Sequence, residues 1–142
     1  MKRILRWSSL LVAAALLAGC QQLVPDPLPT PPSPSPDYRV TVGQIRDEFE
    51  ANEVAAHTKY NEKLIAISGY VDSVAINDFT GEPYVNLVND PEEWTLCWVR
   101  CEFSVPDMDE LAGLAEGDHL VVVGDYDQYL LCSVIIDHCE IE

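Results

Sequence analysis

The stretch of sequence that decides the fold is LIAISGYVDSVAI, residues 64–76. Its apolar side chains alternate, so Ile65, Ile67 and Val71 fall on one face of an extended chain. Gly69 lies in the middle, and a glycine inside a strand indicates a bulge or a bend. A long strand that bends is typical of a strand coiled into a small barrel.

The segments after this strand continue the β pattern, with one helical interruption. The residues 106–114 (PDMDELAGL) open with a proline and place Met108, Leu111 and Leu114 at helical spacing, which predicts a short helix. Turn residues separate the remaining apolar runs from one another. Further strands are predicted over 83–89, 94–105, 119–126 and 129–137.

A helix is predicted before the first strand, over about 42–57. Thr41 and Gln44 have the spacing of a capping box, with Thr41 as the N-cap. Val42, Ile45 and Phe49 then recur at helical spacing.

The order of these elements is helix, three strands, short helix, two strands. It predicts a mainly β protein, a five-stranded OB-fold barrel with an N-terminal α-helix and a short helix between strands three and four. A plain β-sandwich is the alternative, but it does not explain the helix after the third strand.

The N-terminal residues predict export and a lipid anchor. A basic start and an apolar centre end at Leu16-Leu17-Ala18-Gly19-Cys20, the layout of a secretory signal peptide whose final residues resemble the lipobox of bacterial lipoproteins. The alternative is an ordinary secreted protein with Cys20 as a free thiol.

We expect residues 1–19 to be a signal peptide and residues 20–37 to be a lipidated cysteine followed by a linker. Seven prolines within residues 25–36 favour an extended polyproline spacer, and 38–142 is the folded domain.

Charge restricts the expected partners. The chain has 24 acidic and eight basic residues, a formal charge of −16. Three of the basic residues lie within 1–19, so the mature chain is more acidic still. Nucleic acid contacts depend on clusters of lysine and arginine. The composition therefore predicts no nucleic acid partner.

The folded part also resembles a known family. The residues that carry the resemblance are Asn52-Glu53-Val54-Ala55-Ala56, Tyr60, Gly69 in the long strand, Cys101-Glu102-Phe103, Leu114 with Gly117-Asp118, and Asp137-His138-Cys139. In this order and spacing they resemble the tRNA_anti-like family of OB-fold domains, many of them in proposed lipoproteins. The resemblance covers about 41–142. It implies fold and location, and it supplies no catalytic residues.

Four cysteines remain besides Cys20, and an even number in an exported domain predicts two disulfides with three possible connectivities. The resemblance implies that Cys101 and Cys139 form the family's pair, which leaves Cys97 with Cys132. Cys132 and Cys139 fall on opposite faces of an unbroken strand, so the chain must bend near Asp137 for both bonds to form. Redox or metal chemistry at these cysteines is the alternative, but the spacing is not that of a C-x-x-C motif and few histidines are available.

The third predicted strand offers the candidate ligand surface. Alternation places Trp94, Trp98 and Arg100 on the face opposite the core, and Tyr84 on the second strand joins them. This face is the usual ligand surface of OB-folds, and tryptophan and arginine are enriched at binding hot spots. The alternative is that the N-terminal helix covers both tryptophans.

These observations favour a lipid-anchored binding domain of the cell envelope that is not an enzyme and has no cofactor or metal. Its partners are the membrane, through Cys20, and an envelope protein or glycan. A structural or assembly lipoprotein is the first alternative, and a thiol- or metal-dependent envelope enzyme is the second. Gln21 after Cys20 favours the outer membrane in a host that has one, because an aspartate there is associated with inner-membrane retention.

Overall fold

A computed structural model of the chain describes residues 34–142. The predicted signal peptide, Cys20 and most of the predicted linker lie outside these residues. The described part contains six strands, three α-helices and one 3₁₀ turn. The strands are β1 (Tyr38–Thr41), β2 (Leu64–Ile76), β3 (Pro83–Val88), β4 (Val99–Glu102), β5 (His119–Leu130) and β6 (Ser133–Ile141). The helices are α1 (Val42–Ala51), α2 (Glu53–Tyr60) and α3 (Met108–Leu111), and the 3₁₀ turn is Val105–Asp107.

Five of these strands close into a barrel. The order is β2-β3-β4-β6-β5, and β5 pairs back onto β2. All neighbours are antiparallel except β4 and β6, which run parallel. This is the predicted OB-fold barrel, with the short helix α3 between β4 and β5. β1 is an addition that sequence analysis missed, and it runs parallel to the first half of β2.

The N-terminal helix begins as predicted but is broken in two. Thr41 caps α1 by accepting a hydrogen bond from the Gln44 backbone N–H at 3.1 Å. Asn52 then leaves the helical conformation, and its side chain accepts from the Ala55 N–H to cap α2. Asparagine competes with helical hydrogen bonding in this way, so the predicted single helix over 42–57 is wrong at its centre.

The long strand β2 has the predicted bounds, but its glycine has a different role. The ladder between β2 and β3 shifts register between Val71 and Ser73, so the bulge lies at Asp72. A Cβ atom on Gly69 would lie 2.5 Å from Cγ2 of Val42. Gly69 is required because α1 packs directly against the strand there.

The third strand is shorter than predicted. β4 begins only at Val99, and residues 94–98 form an irregular loop. In this loop the Thr95 hydroxyl accepts from the Cys97 N–H at 3.0 Å, a local turn that competes with strand pairing. The last strand also starts later than predicted, at Ser133, because Leu131 and Cys132 form the turn between β5 and β6.

The core fills the barrel and continues under α1 and α2. Phe49 of α1 stacks on Tyr129 of β5 with ring centroids 4.7 Å apart, and Tyr60 of α2 is completely buried. Within residues 34–142, no helix combines the length and hydrophobicity needed to span a membrane.

Candidate ligand-binding face

Strands β3 and β4 turn alternate residues toward the core and toward the outer face of the barrel. Val85 on β3 and Val99 on β4 are fully buried in the core. Tyr84 and Asn86 on β3, and Arg100 on β4, belong to the opposite face. The ladder pairs Asn86 directly with Arg100. The predicted residues Tyr84 and Arg100 therefore come together.

Arg100 is held in place by two neighbours. Its guanidinium lies over the Tyr84 ring, 4.2 Å from the ring centroid, a cation–π contact. Its Nε donates to Oδ1 of Asn86 at 3.3 Å, and Asn86 Nδ2 donates to the Ser73 hydroxyl at 3.1 Å. Asn86 lies on the outer face but is only 5% exposed, and it is the one buried polar side chain among the described residues. Sequence analysis missed it, since an asparagine within an apolar strand carries no distinctive motif.

An apolar groove lies beside Arg100, and we call it the Trp98 groove. It has a volume of about 510 Å³. Its lining is Leu96, Trp98, Arg100, Leu130, Leu131, Cys132, Ser133 and Ile135. Arg100 is the only basic residue among them. Leu130 and Leu131 were not predicted as site residues, because the β5–β6 turn carries no glycine, asparagine or proline to mark it.

The two tryptophans have different positions. Trp98 lines the groove and is partly buried, and its indole N–H has no hydrogen-bond acceptor in the described part of the chain. Trp94 is 86% exposed and does not line the groove. The alternative in which the N-terminal helix covers both tryptophans is therefore wrong for Trp94.

Acidic side chains follow Arg100 on the same face. Burial raises the pKa of Glu102, and the charge of Asp137 raises it further. Burial also raises the pKa of Asp137, with Asp127 as the next cause. The outer face thus runs from an apolar groove, through one cation, to a group of carboxylates.

One of the two predicted disulfides is present. Cys97 and Cys132 are bonded, with their Cα atoms 5.1 Å apart, and the bond joins the loop 94–98 to the β5–β6 turn. It lies at the edge of the Trp98 groove, since Cys132 is a lining residue.

The second expected bond, Cys101–Cys139, is not formed in this structure. Both residues are buried free thiols in the core. The expected bend does occur: β6 contains a bulge opposite Gly124, with His138 at a φ of 52°, and Cys139 turns inward. Cys139 donates instead to the Ile136 carbonyl at 3.3 Å, and burial raises the pKa of its thiol well above the ordinary value.

The described residues contain no group of three or more histidine, cysteine or acidic side chains arranged to hold a metal ion. His57, which ends up on α2, shares a 3.0 Å hydrogen bond with the Tyr126 hydroxyl, and His138 lies 3.5 Å from a carboxylate oxygen of Asp125.

Comparison with known proteins assigns the fold to a family. The model of the tRNA_anti-like family matches residues 4–140. The chain belongs to the tRNA_anti-like family. Its domain is similar to a solved structure from Klebsiella pneumoniae subsp. pneumoniae MGH 78578, a lipoprotein provisionally named as nucleic acid-binding. The two are 16% identical with a TM-score of 0.60, over 72% of this chain and 90% of that one.

Two other solved structures match the tRNA_anti-like domain with lower TM-scores. The S. pombe Stn1–Ten1 complex is 18% identical with a TM-score of 0.40, covering 56% of this chain and 57% of that one. Yeast Stn1 and Ten1 is 17% identical with a TM-score of 0.44, covering 74% and 62%. No curated protein matches the chain.

The Klebsiella structure corrects one prediction. A protein of the same fold carries a nucleic acid-binding name, so the exclusion of nucleic acid as a partner of this tRNA_anti-like domain is wrong. The physical reason is that net charge describes the whole surface, whereas a ligand contacts one face. On the candidate face the residue beside the groove is a cation, Arg100.

Proposed function

We propose that this protein is an exported, lipid-anchored binding domain that holds a segment of an envelope protein, or a glycan, in the Trp98 groove. The observation that carries the proposal is the groove itself: an open apolar surface at the ligand position of the OB-fold, beside an arginine fixed by Tyr84 and Asn86.

The exposure of the groove's apolar residues supports a binding role. Leu96 is 62% exposed and Leu131 is 86% exposed. Clustered exposed apolar side chains on a soluble domain mark interaction sites. Arg100 supplies orientation, since a fixed guanidinium binds carboxylates and other anions with defined geometry.

A photo-crosslinking experiment tests the proposed protein partner. We would place a photoreactive amino acid at Leu131 in the groove, and separately at Val54 on α2, which is 77% exposed and distant in sequence from the groove residues. A protein adduct formed at Leu131, absent at Val54 and lost with Trp98→Ala is expected. Equal adducts at both positions, or adducts that survive Trp98→Ala, would contradict the groove as the binding site.

A purely structural or assembly role is the alternative within the envelope. Acrylamide quenching of tryptophan fluorescence in the lipidated protein separates the two roles. If the protein is a binding domain, acrylamide should quench Trp94 in the lipidated protein as strongly as in the purified chain. If it is packed permanently on a complex, quenching of Trp94 should be weaker.

Single-stranded nucleic acid is a second candidate ligand. It is favoured by the name of the Klebsiella lipoprotein and by the cation–π pair of Tyr84 and Arg100, because aromatic rings and guanidinium groups stack on bases. Fluorescence anisotropy of a labelled oligothymidine would test it. With one basic residue in the groove, the plot of log affinity against log salt should have a slope near −0.7. Arg100→Gln should abolish this salt dependence.

The anchor and the absence of catalysis are further parts of the proposal. Cys20 should carry acyl chains in protein recovered from membranes, with the outer membrane as the favoured location where a host has one. Mass spectrometry of the N-terminal peptide, with Cys20→Ser as the control, tests the anchor. We assign no catalytic residue.

A further inference from the structure

The two walls of the Trp98 groove are joined at a single edge. One wall is the loop 94–98 and the other is the hairpin turn between β5 and β6, and the Cys97–Cys132 disulfide links them. Two hydrogen bonds beside the disulfide also join these segments: the Trp98 N–H donates to the Ser133 hydroxyl at 3.2 Å, and the Val134 N–H donates to the Trp98 carbonyl at 3.0 Å.

The hairpin turn has an unfavourable backbone for its residues. Leu130 pairs with Ser133, so the turn consists of Leu131 and Cys132 alone. Their φ angles are 49° and 67°, the pattern of a type I′ turn, which strongly favours Asn-Gly. Neither residue is a glycine or an asparagine, and a leucine at positive φ is unusual. Such strained residues persist where surrounding structure holds them, and they cluster at ligand sites.

The strained turn also determines the shape of the groove. Leu131 stands at its tip, 86% exposed, and Leu130 beside it is 52% exposed. Both line the groove. If the turn relaxed to another conformation, these two side chains would move away from Trp98.

We propose that Cys97 and Cys132 are positioning residues for the ligand groove: their disulfide holds the β5–β6 turn in its strained conformation and so builds the wall that contains Leu131. This inference rests on the proposed function of the groove. A dithiol reductant would open the bond, supplying two electrons and two protons so that two thiols form while the dithiol becomes its own disulfide. The turn then relaxes and the groove is lost.

The barrel does not depend on this bond for closure. β6 is paired on both sides, with β4 and with β5, and the core residues of these strands are buried beneath the ladder. Loss of the disulfide should therefore change the groove and leave the fold in place.

The test uses the full mature chain with Cys20→Ser, so that it is soluble, and with Trp94→Phe. The chain has three tryptophans, and Trp7 lies in the predicted signal peptide, so Trp98 becomes the only tryptophan and is the reporter under selective tryptophan excitation. Two variants are compared, Cys97→Ser with Cys132→Ser, and Cys97→Ser with Cys132→Gly. Both lack the disulfide, and they differ in whether residue 132 adopts positive φ without strain.

We expect acrylamide quenching of Trp98 to rise at least twofold in the serine pair and to return toward the parent value in the glycine variant. Unchanged quenching in the serine pair would overturn the inference. So would an equal rise in both variants, because the turn conformation would then not be the cause. Should the serine pair fail to fold, the folded parent is titrated with a dithiol while Trp98 quenching is followed, with the same expectation.

A second probe separates failure of this inference from failure of the proposed function. The dye 1-anilinonaphthalene-8-sulfonate combines an aromatic apolar body with one anionic group, matching the groove and Arg100. Its binding should fall at least fivefold with Trp98→Ala and with the serine pair, and recover in the glycine variant. If Trp98→Ala leaves dye binding unchanged, the groove is not the binding site. Binding that depends on Trp98 but not on the disulfide contradicts only the positioning role.

Discussion

The guanidinium of Arg100 lies over the ring of Tyr84, 4.2 Å from its centroid, on the outer face of the barrel. The two residues lie on adjacent strands, β4 and β3, and the register between these strands places them together. Asn86, which pairs with Arg100 across the ladder, accepts from the arginine and donates to Ser73, so the position of a surface cation depends on a buried amide.

Replacement of Asn86 tests that dependence. Asn86→Ala leaves the Arg100 Nε–H without its acceptor and the Ser73 hydroxyl without its donor, in a site where Asn86 is 5% exposed. We expect the free energy of unfolding to fall by about 1–3 kcal/mol, measured by urea denaturation. Ser73→Ala, at the partly exposed end of the network, is the matched control and should cost less. Equal losses in the two variants would argue against Asn86 as the centre of the network.

Gly69 should not tolerate a side chain, because α1 packs against it. A Cβ atom there would lie 2.5 Å from Val42 Cγ2 and 3.0 Å from the Val88 carbonyl oxygen. Gly69→Ala should lower the free energy of unfolding by about 1–3 kcal/mol, as overpacking does.

A double-mutant cycle with Val42→Ala identifies the contact responsible. The double variant should lose less stability than the sum of the single variants, because the smaller residue relieves part of the overlap. Gly113→Ala, whose nearest contact would be at an ordinary 3.5 Å, is the control and should be nearly neutral. Strict additivity of Gly69→Ala and Val42→Ala would show that helix packing is not the constraint.

The barrel could be predicted because its long strand has a clear alternation that tertiary packing preserves. The bounds of β2 agree with the predicted 64–76, and Ile65 and Ile67 are fully buried. The loop 94–98 could not be predicted, because Trp94, Leu96 and Trp98 alternate as a strand would. The Cys97–Cys132 disulfide and the Thr95 side chain hold residues 94–98 as a loop. Neither feature changes the alternation in the sequence.

The candidate site was predicted in part for the same reason. The outward positions of Arg100 and Tyr84 could be predicted from alternation, because both residues lie on strands that the structure contains. Leu130 and Leu131 both fell within the predicted strand 129–137, since a two-residue turn without Asn-Gly gives no sequence signal. The break at Asn52 had a signal, because asparagine is a strong N-cap, but the apolar periodicity continued across it.

Stability should depend on pH through Asp137. Burial raises the pKa of this carboxyl, and Asp127 and Glu82 raise it further, whereas His138 opposes them. A group with a raised folded-state pKa destabilises the protein while it is ionised, and the penalty disappears as pH falls through that pKa. Asp137→Asn should therefore raise the melting temperature at pH 7, and the gain should shrink as the pH is lowered toward 4.

The matched control for this prediction is Asp78→Asn, an exposed aspartate in the loop between β2 and β3. Its effect on the melting temperature should vary less with pH. A gain from Asp137→Asn that persists unchanged at acid pH would mean that removal of the charge is not its cause, and a loss at pH 7 would mean that the carboxylate stabilises the fold.

The thiol chemistry of the core gives the most direct test of the disulfide arrangement. In this structure Cys97 and Cys132 are bonded, and Cys101 and Cys139 are buried free thiols. Alkylation of the native mature chain should leave both thiols unmodified, because burial excludes the reagent and raises the pKa of Cys139.

Alkylation after denaturation, without reductant, should label Cys101 and Cys139 and leave Cys97 and Cys132 as a cross-linked peptide pair in the mass spectrum. The double variant Cys101→Ala with Cys139→Ala is the control and should remove the label while keeping the cross-linked pair. A cross-linked Cys101–Cys139 peptide pair from protein recovered from membranes would contradict the free thiols and support the pairing that the family resemblance implies.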